Sequence, residues 1–385
     1  MTIDEVLTRA VDKVLPSKEG LKKLMEKKKI RLYLGVDPTA TSLHLGHTVM
    51  IRKLQQFADL DHEVIFLFGT GTTLVGDPSE RSKGRKLITY QQVKKNMQSW
   101  KKQISPVLDF SMPNVKTMAN GDWLTKLTLQ DIIKIGSNIS AVQLFKRDSF
   151  QERLKKGDTV WYHETMYPLL QGYDAVHMDV DLQIGGTDQI FNMLIGRELQ
   201  RKMNNREKFV LAGKMIMGTD NKKMSKTSNN CIWLTDSAKD MFGKLMQTQD
   251  QLMSSYFEFF TDKPMQEVNQ LKKDLKTNRV DPMKTKKQLA FTITAQFHGQ
   301  AKAKTAQSHF ATTFQKKSPE YTKKVACQST LAGTIAQTVG SKSQAKRLIL
   351  QGAVDINSQT VKNLDHSVKA GDKIQIGKKT FVKVK

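Results

Sequence analysis

Cysteines and long apolar runs are both scarce in this chain. Only Cys231 and Cys327 occur among 385 residues. This is too few for a disulfide framework or a cysteine-rich zinc site, so we expect a reducing compartment and no thiol mechanism. No apolar run approaches the roughly 18 residues that a membrane span requires. The N-terminal segment lacks a signal-peptide core and carries Asp4, Glu5 and Asp12, so we interpret it as an amphipathic helix of a cytoplasmic protein.

Acidic residues are also few in comparison with basic ones. The chain has 62 Lys and Arg against 37 Asp and Glu, which gives a net charge of +25 at pH 7. Such an excess predicts attraction to a polyanion, most simply a nucleic acid, with an affinity that falls as salt rises. The alternative is a lysine-rich composition that places Lys on every solvated face.

Strands alternate with helices in the first part of the chain. Short apolar segments such as "IRLYLGV" and "HEVIFLFG" predict strands, and segments of helical periodicity separate them. The predicted helices include "HTVMIRKLQQFADL", "TYQQVKKNMQSWKKQI", "VWYHETMYPLLQGYDAV" and "FNMLIGRELQRKM". The pattern predicts an α/β fold with a mostly parallel, doubly wound, Rossmann-like sheet, in which ligands bind at the carboxyl ends of the strands.

Periodicity and composition divide the chain into four segments. Residues 1–233 form the predicted catalytic α/β domain, and residues 234–320 a helical domain, because amphipathic segments such as "DQLMSSYFEFF" replace the strands there. A lysine-rich stretch of poor periodicity predicts a basic linker at 321–330. Residues 331–385 predict a small α+β domain with helices first and short strands after them.

Two histidines lie three residues apart in "SLHLGH". A zinc pair on a helix is usually spaced four apart and accompanied by further ligands, and His44 and His47 have no obvious third ligand, so we expect no protein-bound metal. The alternative is a phosphate site. Gly46 would let the backbone approach closely, the helix starting at about His47 would offer free N–H groups, and Thr39 and His44 would donate hydrogen bonds. An ordinary structural histidine remains open on spacing alone.

A second cluster of charge stands in "KKMSKTS". Lys223 and Lys226 lie three apart in a polar loop. Two ammonium groups held over one place would suit a leaving polyphosphate, whose negative charge grows in the transition state. Taken alone, the same residues are also compatible with a solvated basic turn.

The two clusters together resemble the signatures of class I aminoacyl-tRNA synthetases. "HLGH" is similar to the HIGH motif and "KMSKT" to the KMSKS loop, in the same order along the chain. The stretches "YLGVDPTATSLHLGH", "GDPS", "YPLLQGYD" and "GGTDQ" are similar to the bacterial-type tyrosyl-tRNA synthetases. The chain departs from the family at Leu45, Thr227 and Ile190, none of which removes a charged group.

The resemblance implies an amino-acid pocket. Tyr33 and Asp174 would hydrogen-bond the phenol of tyrosine, and Asp77, Tyr167 and Gln171 would hold its α-ammonium group. Independently of the family, spacings of four and three place Tyr167, Gln171 and Asp174 along one helical face, which can line one pocket.

The resemblance also implies nucleotide and RNA sites. The residues expected at the ATP, the adenylate or the substrate carboxylate are Gly35, Asp37, Gly46, His47, Asp188, Gln189, Lys223, Met224, Ser225 and Lys226. Gln189 is expected to contact tyrosine as well. The segment from Ser341 to Asn357 is similar to an RNA-binding module of small-subunit ribosomal proteins, in which Ser341, Lys342, Lys346 and Arg347 would face phosphate.

The resemblance implies a homodimeric enzyme that uses ATP with Mg²⁺ to activate L-tyrosine and then charges tRNA(Tyr), and we expect it in the cytoplasm. The tryptophanyl enzymes share the fold and both signatures, and a small nucleotidyltransferase with an HxGH motif would leave the C-terminal module unexplained. The alternative of another class is a catalytically inactive, synthetase-derived RNA-binding protein. The intact lysine loop and pocket residues argue against that alternative.

Overall fold

The protein is described by a computed structural model that covers residues 1–79, 88–225, 230–315, 321, 323–328, 330–377 and 380–385. It divides into two compact units, residues 1–306 and 307–385. Both contain helices and a β-sheet, and each has its own buried apolar core. No helix in the described ranges is long and apolar enough to cross a membrane.

A six-stranded sheet forms the centre of the first unit, in the order β1-β6-β5-β2-β3-β4. Its strands are β1 (Val11–Leu15), β2 (Arg31–Val36), β3 (Glu63–Phe68), β4 (Val115–Ala119), β5 (Leu182–Gly186) and β6 (Phe209–Gly213). All neighbours pair in parallel except β1, which pairs antiparallel with β6. The chain runs outward from β2 to β4 on one side and from β5 to β6 on the other, which confirms the doubly wound prediction.

Helices cover this sheet and continue beyond it. They are α1 (Ile3–Val6), α2 (Lys18–Lys27), α3 (His47–Ala58), α4 (Thr72–Val75), α5 (Tyr90–Met97), α6 (Trp100–Ile104), α7 (Gly121–Leu124), α8 (Leu129–Gly136), α9 (Ala141–Phe145), α10 (Asp148–Lys155), α11 (Tyr162–Met178), α12 (Ile190–Asn204), α13 (Ala238–Leu245), α14 (Met253–Phe260), α15 (Met265–Lys276), α16 (Pro282–His298) and α17 (Gln300–Phe310). The segment predicted as one helix from Thr89 forms two, α5 and α6. The described residues after Trp233 in this unit contain helices and no strand, as the periodicity predicted.

The N-terminal prediction was wrong over part of its length. The helix there is the single turn α1, and residues 11–15, expected to be helical, form β1 instead. Pairing with β6 stabilises the extended conformation of this segment, because without it the edge of β6 would present a row of unpaired N–H and C=O groups. The segment "VDKVL" is too short and too mixed in polarity to predict a strand from the sequence.

The second unit contains α18 (Leu331–Val339), α19 (Lys342–Leu350) and a sheet in the order β7-β11-β10-β8-β9. The strands are β7 (Lys323–Val325), β8 (Val354–Ile356), β9 (Gln359–Thr360), β10 (Lys373–Ile376) and β11 (Thr380–Val384). The α+β prediction is therefore confirmed. β7 lies inside the stretch predicted to be a linker and pairs in parallel with β11. Only Val325 of β7 is buried, so no alternating pattern indicated the strand.

Candidate active site

A cavity of about 430 Å³ opens at the carboxyl ends of the parallel strands. It lies over β2 and β5, where the two halves of the sheet diverge, which is the general ligand position in doubly wound sheets. All the predicted catalytic, tyrosine and nucleotide residues that the structure describes line this cavity. The exception in the predicted set is Lys226, which lies outside the described residues.

Asp174 forms the buried end of the cavity. Its Oδ1 accepts a hydrogen bond from Trp123 Nε1 at 2.9 Å, and its Oδ2 accepts one from Asn120 Nδ2 at 2.9 Å. The side chain is 1% exposed. Burial raises the pKa of Asp174 to about 8, although the two donors act in the opposite direction. The site therefore holds a carboxyl group close to its titration point, supported by two neutral donors.

Tyr33 stands beside this carboxyl group on β2. Its hydroxyl donates to the backbone oxygen of Gln171 at 3.4 Å. Burial, and then the charge of Asp174, raise the pKa of the Tyr33 phenol, so this group is a neutral donor at neutral pH. The side-chain oxygen of Gln171 is buried and accepts no hydrogen bond from any described residue. An acceptor left open at the cavity wall suits a cationic or N–H ligand.

Two further carboxylates lie along the cavity wall. Tyr167 donates its hydroxyl to Asp37 Oδ2 at 3.1 Å, and Thr72 donates to Asp37 Oδ1 at 2.8 Å. Asp77 Oδ2 accepts a hydrogen bond from Gln189 Nε2 at 2.7 Å. Asp77 Oδ1 forms an ion pair with Arg147 Nη2 at 3.4 Å. These bonds hold both carboxylates in fixed positions before any ligand enters.

The histidine segment is held against residues that follow the lysine loop. Leu45 N donates to Ile232 O at 2.8 Å, and His44 forms a β-bridge with Trp233. The rings of His44 and His47 lie 3.8 Å apart between centroids. A Cβ on Gly46 would stand 2.9 Å from His44 Nδ1 and 3.2 Å from Met224 Sδ, so any side chain there would push the two signatures apart.

The lysine loop begins with a tight turn. Met217 and Lys223 form a β-bridge, and Gly218 N donates to Lys222 O at 2.7 Å. Asn230 then ties the loop together, since its side chain donates to Lys223 O at 3.1 Å and accepts from Ser225 N at 3.1 Å. The backbone of Lys223 is consequently held at the wall of the cavity.

Several residues of the site were missed from the sequence. Asn120 follows β4 directly, and a polar residue at the carboxyl end of a parallel strand is a signal that could have found it. Arg147 and Trp123 lie in segments without a motif, and nothing in their spacing points to the cavity. Gln183 lies on β5, two residues before "GGTDQ", but no pattern singled it out. Lys214 also lines the cavity and pairs with Glu258 of α14 at 2.9 Å.

In the second unit, the four residues predicted to face RNA extend from the N-cap of α19 to its last turn. Ser341 is the N-cap, and its hydroxyl accepts from Gln344 N at 3.3 Å. Lys342, Lys346 and Arg347 are exposed, and the first two are one helical turn apart. No group of three His, Cys, Asp or Glu side chains able to hold a metal ion occurs among the residues that the structure describes.

Two family models match the chain. Residues 25–315 match the model of the class I tRNA synthetases (W and Y), and residues 336–374 match the S4 domain. Among curated proteins, tyrosine–tRNA ligase 2 of Vibrio cholerae is 39% identical over 98% of this chain and 97% of its own length. Tyrosine–tRNA ligase of Carboxydothermus hydrogenoformans is 36% identical over 99% of this chain and 97% of its own length.

Solved structures share the fold. A C-terminally truncated mitochondrial tyrosyl-tRNA synthetase of Aspergillus nidulans superposes with a TM-score of 0.68 and 21% identity, covering 81% of this chain and 94% of that one. The tyrosyl-tRNA synthetase of Archaeoglobus fulgidus, complexed with L-tyrosine, gives a TM-score of 0.64 and 20% identity, covering 80% of this chain and 100% of that one. At these identities the similarity concerns the fold alone.

Proposed function

The chain belongs to the class I tRNA synthetases (W and Y), as a tyrosyl-tRNA synthetase with an S4 domain, and we propose how its own residues perform the reaction. It is a tyrosine–tRNA ligase. Tyrosine and ATP give tyrosyl-AMP and pyrophosphate, and the tyrosyl group then passes to the 3′-terminal adenosine of tRNA(Tyr).

The observation that carries the pocket assignment is the pair of Tyr33 and Asp174 at the buried end. A phenol entering between them would donate to the carboxyl group and accept from the Tyr33 hydroxyl. Phenylalanine would leave the same buried groups without a partner, which is the physical basis of strong rejection, for which tyrosyl enzymes are a general example. The open oxygen of Gln171, with Tyr167 and Asp77 near it, supports placing the α-ammonium group on this wall.

No protein side chain acts as nucleophile in the proposed mechanism. The substrate carboxylate attacks the α-phosphorus of ATP, which arrives with Mg²⁺ as the substrate complex. Thr39, His44, Lys223 and Lys226 stabilise the departing pyrophosphate, so catalysis consists of positioning and electrostatic stabilisation. The proximity of the His44 segment to Met224 supports a shared phosphate site for the two signatures.

The remaining nucleotide contacts are proposed at the other strand ends. Gly35, Asp37, Gly46 and His47 would contact the adenosine or the α-phosphate from the β2 side. Asp188 and Gln189, in the turn between β5 and α12, would contact the ribose and the substrate carboxylate. Gly185 and Gly186 open this turn and allow close backbone approach.

The C-terminal unit is proposed to bind tRNA through Ser341, Lys342, Lys346 and Arg347. Three exposed cations on one helix support this assignment, as does the net charge of +25. Phosphate contacts of this kind release counterions, so we expect the affinity for tRNA to fall steeply with salt. We place the enzyme in the cytoplasm, where its tRNA substrate is charged.

We also propose a homodimer through the segment from α8 to the first residue of α11. Large apolar side chains are exposed on successive short elements there: Leu129, Ile133, Val142, Phe145, Leu154, Trp161 and Tyr162. Val142 is 68% and Tyr162 is 83% exposed, and apolar surface of this extent commonly marks an interface. Val142→Glu should give a monomer by light scattering, whereas Leu350→Glu, at an exposed apolar residue of the second unit, should leave the mass unchanged.

The test of the catalytic assignment is pyrophosphate exchange into ATP with tyrosine, phenylalanine and tryptophan offered separately, followed by charging of total tRNA. Exchange with tyrosine alone, and subsequent charging, is the expected result. Exchange with tryptophan would contradict the pocket assignment. A folded protein that exchanges with none of the three would favour a role in RNA binding alone.

A further inference from the structure

Lys208 is a fully buried lysine whose charge no part of the proposed mechanism uses. It directly precedes β6 and is 0% exposed. Its Nζ donates to the side-chain oxygen of Gln183, which is the one acceptor within hydrogen-bond distance among the described residues. An ammonium group has three donors, so a single amide oxygen is poor compensation for complete burial.

Gln183 connects this lysine to the cavity. It lies on β5 directly opposite Tyr33 on β2, and directly opposed residues of parallel strands project to the same face of the sheet. Gln183 also lines the cavity. Lys208 therefore lies immediately behind the wall that holds the proposed phenol site.

A close helix crossing shapes the space around the ammonium group. A Cβ on Gly196 of α12 would stand 2.7 Å from Lys208 Nζ and 3.2 Å from Gly172 Cα of α11. Gly172 precedes Asp174 by two residues on the same helix. The two glycines thus let α11 and α12 approach each other above a buried cation, near the residue that receives the phenol.

We propose that Lys208 is a positioning residue for tyrosine specificity: its buried positive charge, placed behind Gln183, favours the ionised form of Asp174 that accepts the substrate phenol. The inference rests on the proposed placement of that phenol at Asp174. Phenylalanine has no hydroxyl to donate, so the charge of Lys208 should not affect its binding.

The titration of the two groups supports this coupling. Burial lowers the pKa of Lys208 to about 7, while the charge of Asp174 acts to raise it. Burial raises the pKa of Asp174, and the charge of Lys208 acts to lower it, so each of the two groups favours the charged form of the other. Two other charged groups act on this pair: Arg197 lowers the pKa of Lys208, and Asp37 raises the pKa of Asp174. Asp174 in turn raises the pKa values of the Tyr33 and Tyr167 phenols.

The test is equilibrium binding of tyrosine and of phenylalanine to the full-length enzyme without ATP, between pH 6.5 and 9. Lys208→Gln keeps a donor for Gln183 and removes the charge, and Lys208→Met removes both. In Lys208→Gln we expect about tenfold weaker tyrosine binding at pH 7, which corresponds to a rise of roughly one unit in the pKa of Asp174. Phenylalanine binding should change less than twofold.

The pH profile separates this role from a structural one. Wild-type tyrosine affinity should rise between pH 7 and 8, because Asp174 ionises over this range. In Lys208→Gln the same rise should occur about one pH unit higher. An equal loss for both amino acids, or an unchanged profile with unchanged tyrosine affinity, would overturn the proposal, and Lys208→Gln carries the test if Lys208→Met does not fold.

Two control variants complete the experiment. Lys53→Met removes another buried lysine, one that bonds to backbone oxygens of Val6 and Arg9 away from the cavity, and it should leave the ratio of tyrosine to phenylalanine affinity unchanged. Asp174→Asn tests the premise. If Asp174→Asn binds tyrosine as the wild type does, the placement of the phenol is wrong. If Asp174→Asn loses tyrosine while Lys208→Gln does not, only the role of Lys208 is wrong.

Discussion

At the scale of single residues, Asp174 combines burial with two neutral hydrogen-bond donors. Trp123 and Asn120 each donate a hydrogen bond of 2.9 Å to one carboxyl oxygen of Asp174, yet neither supplies a positive charge. The ionised form is therefore sensitive to every nearby donor. Specificity for a phenol depends on this sensitivity as much as on the shape of the cavity.

Trp123→Phe should weaken tyrosine binding about five- to tenfold at pH 7 and leave phenylalanine binding nearly unchanged. Loss of one donor disfavours the carboxylate, so the pKa of Asp174 should rise further, and the lost affinity should return as pH increases. Equilibrium titration at pH 7 and pH 9 measures both effects.

Trp100→Phe is the matched control for this prediction. Trp100 is also buried, and its indole N–H donates to Ala40 O at 3.1 Å outside the tyrosine end. It should cost stability without altering selectivity between the two amino acids. A similar loss of tyrosine affinity in both variants would contradict the proposed role of Trp123.

His44→Ala should reduce the rate of tyrosyl-AMP formation at least a hundredfold and change the dissociation constant of tyrosine less than threefold. His44 is proposed to act on phosphate as charge develops, and an interaction made mainly in the transition state affects the rate constant more than substrate binding. Single-turnover kinetics with varied tyrosine and ATP separate the two quantities. Equal losses in rate and in tyrosine binding would speak against this role.

At the scale of secondary-structure elements, the crossing of α11 and α12 brings the tyrosine residues to the sheet. α11 carries Tyr167, Gln171 and Asp174 along one face, and its approach to α12 depends on Gly172 and Gly196. A Cβ on Gly172 would meet Gly196 N at 3.1 Å and Leu199 Cδ1 at 2.9 Å. The distance between two helices thereby sets the depth of a pocket.

Gly196→Ala should lower the free energy of unfolding by about 1–3 kcal/mol, because the new methyl group overlaps Lys208 Nζ and the backbone of α11. We also expect weaker tyrosine binding, since α11 must move outward. Urea unfolding and tyrosine titration measure the two effects. Gly243→Ala, inside α13 with nothing within 4 Å of the added Cβ, should be neutral or stabilising by up to about 1 kcal/mol. An unchanged Gly196→Ala protein would mean that the crossing tolerates side chains.

At the scale of the whole molecule, buried cations join distant parts of the first unit. Arg9 donates to backbone oxygens of Phe257, Glu258 and Thr261 at the end of α14, and to that of Lys263 just beyond it. Lys53 of α3 donates to Val6 O at 2.6 Å and to Arg9 O at 2.7 Å. The helix that begins at His47 is thereby connected through the N-terminal segment to the helical region.

The buried Lys53 should make stability depend on pH. Burial lowers the pKa of Lys53 to about 7, whereas the ordinary value is near 10.5. Between these values the unfolded chain binds more protons than the folded one, so stability should rise with pH from about 7.5 to 9.5. Lys53 contributes a slope of at most about 1.4 kcal/mol per pH unit.

Lys53→Met should reduce that slope, and urea unfolding at several pH values measures it. Lys22, which is exposed and paired with Asp4, provides the control, because the pKa of Lys22 is raised rather than lowered. Lys22→Met should therefore leave the slope between pH 7.5 and 9.5 unchanged. A slope that is the same in Lys53→Met and in the wild type would show that Lys53 remains charged in the folded protein.

Much of the architecture and the content of the cavity follow from the sequence alone. Alternating apolar strands and periodic helices predicted the doubly wound sheet, and the resemblance of the motifs to those of the class I tRNA synthetases implied which residues line its edge. Both signals are local: a strand end, a helix start or a spacing of three or four residues is visible within one segment. Helical spacing also put Tyr167, Gln171 and Asp174 on one face before any packing was known.

Only the tertiary structure decided what depends on contacts between distant segments. The strand β1 exists because β6 needs a partner, and β7 because β11 offers an edge. From the sequence alone Lys208 would be predicted at the surface, because it follows a charged segment. In the structure it is completely buried, close to the crossing of α11 and α12. Desolvation comes from all the segments packed around a group together, so the titration of Asp174 and Lys208, and with it the proposed basis of tyrosine specificity, is a property of the folded chain.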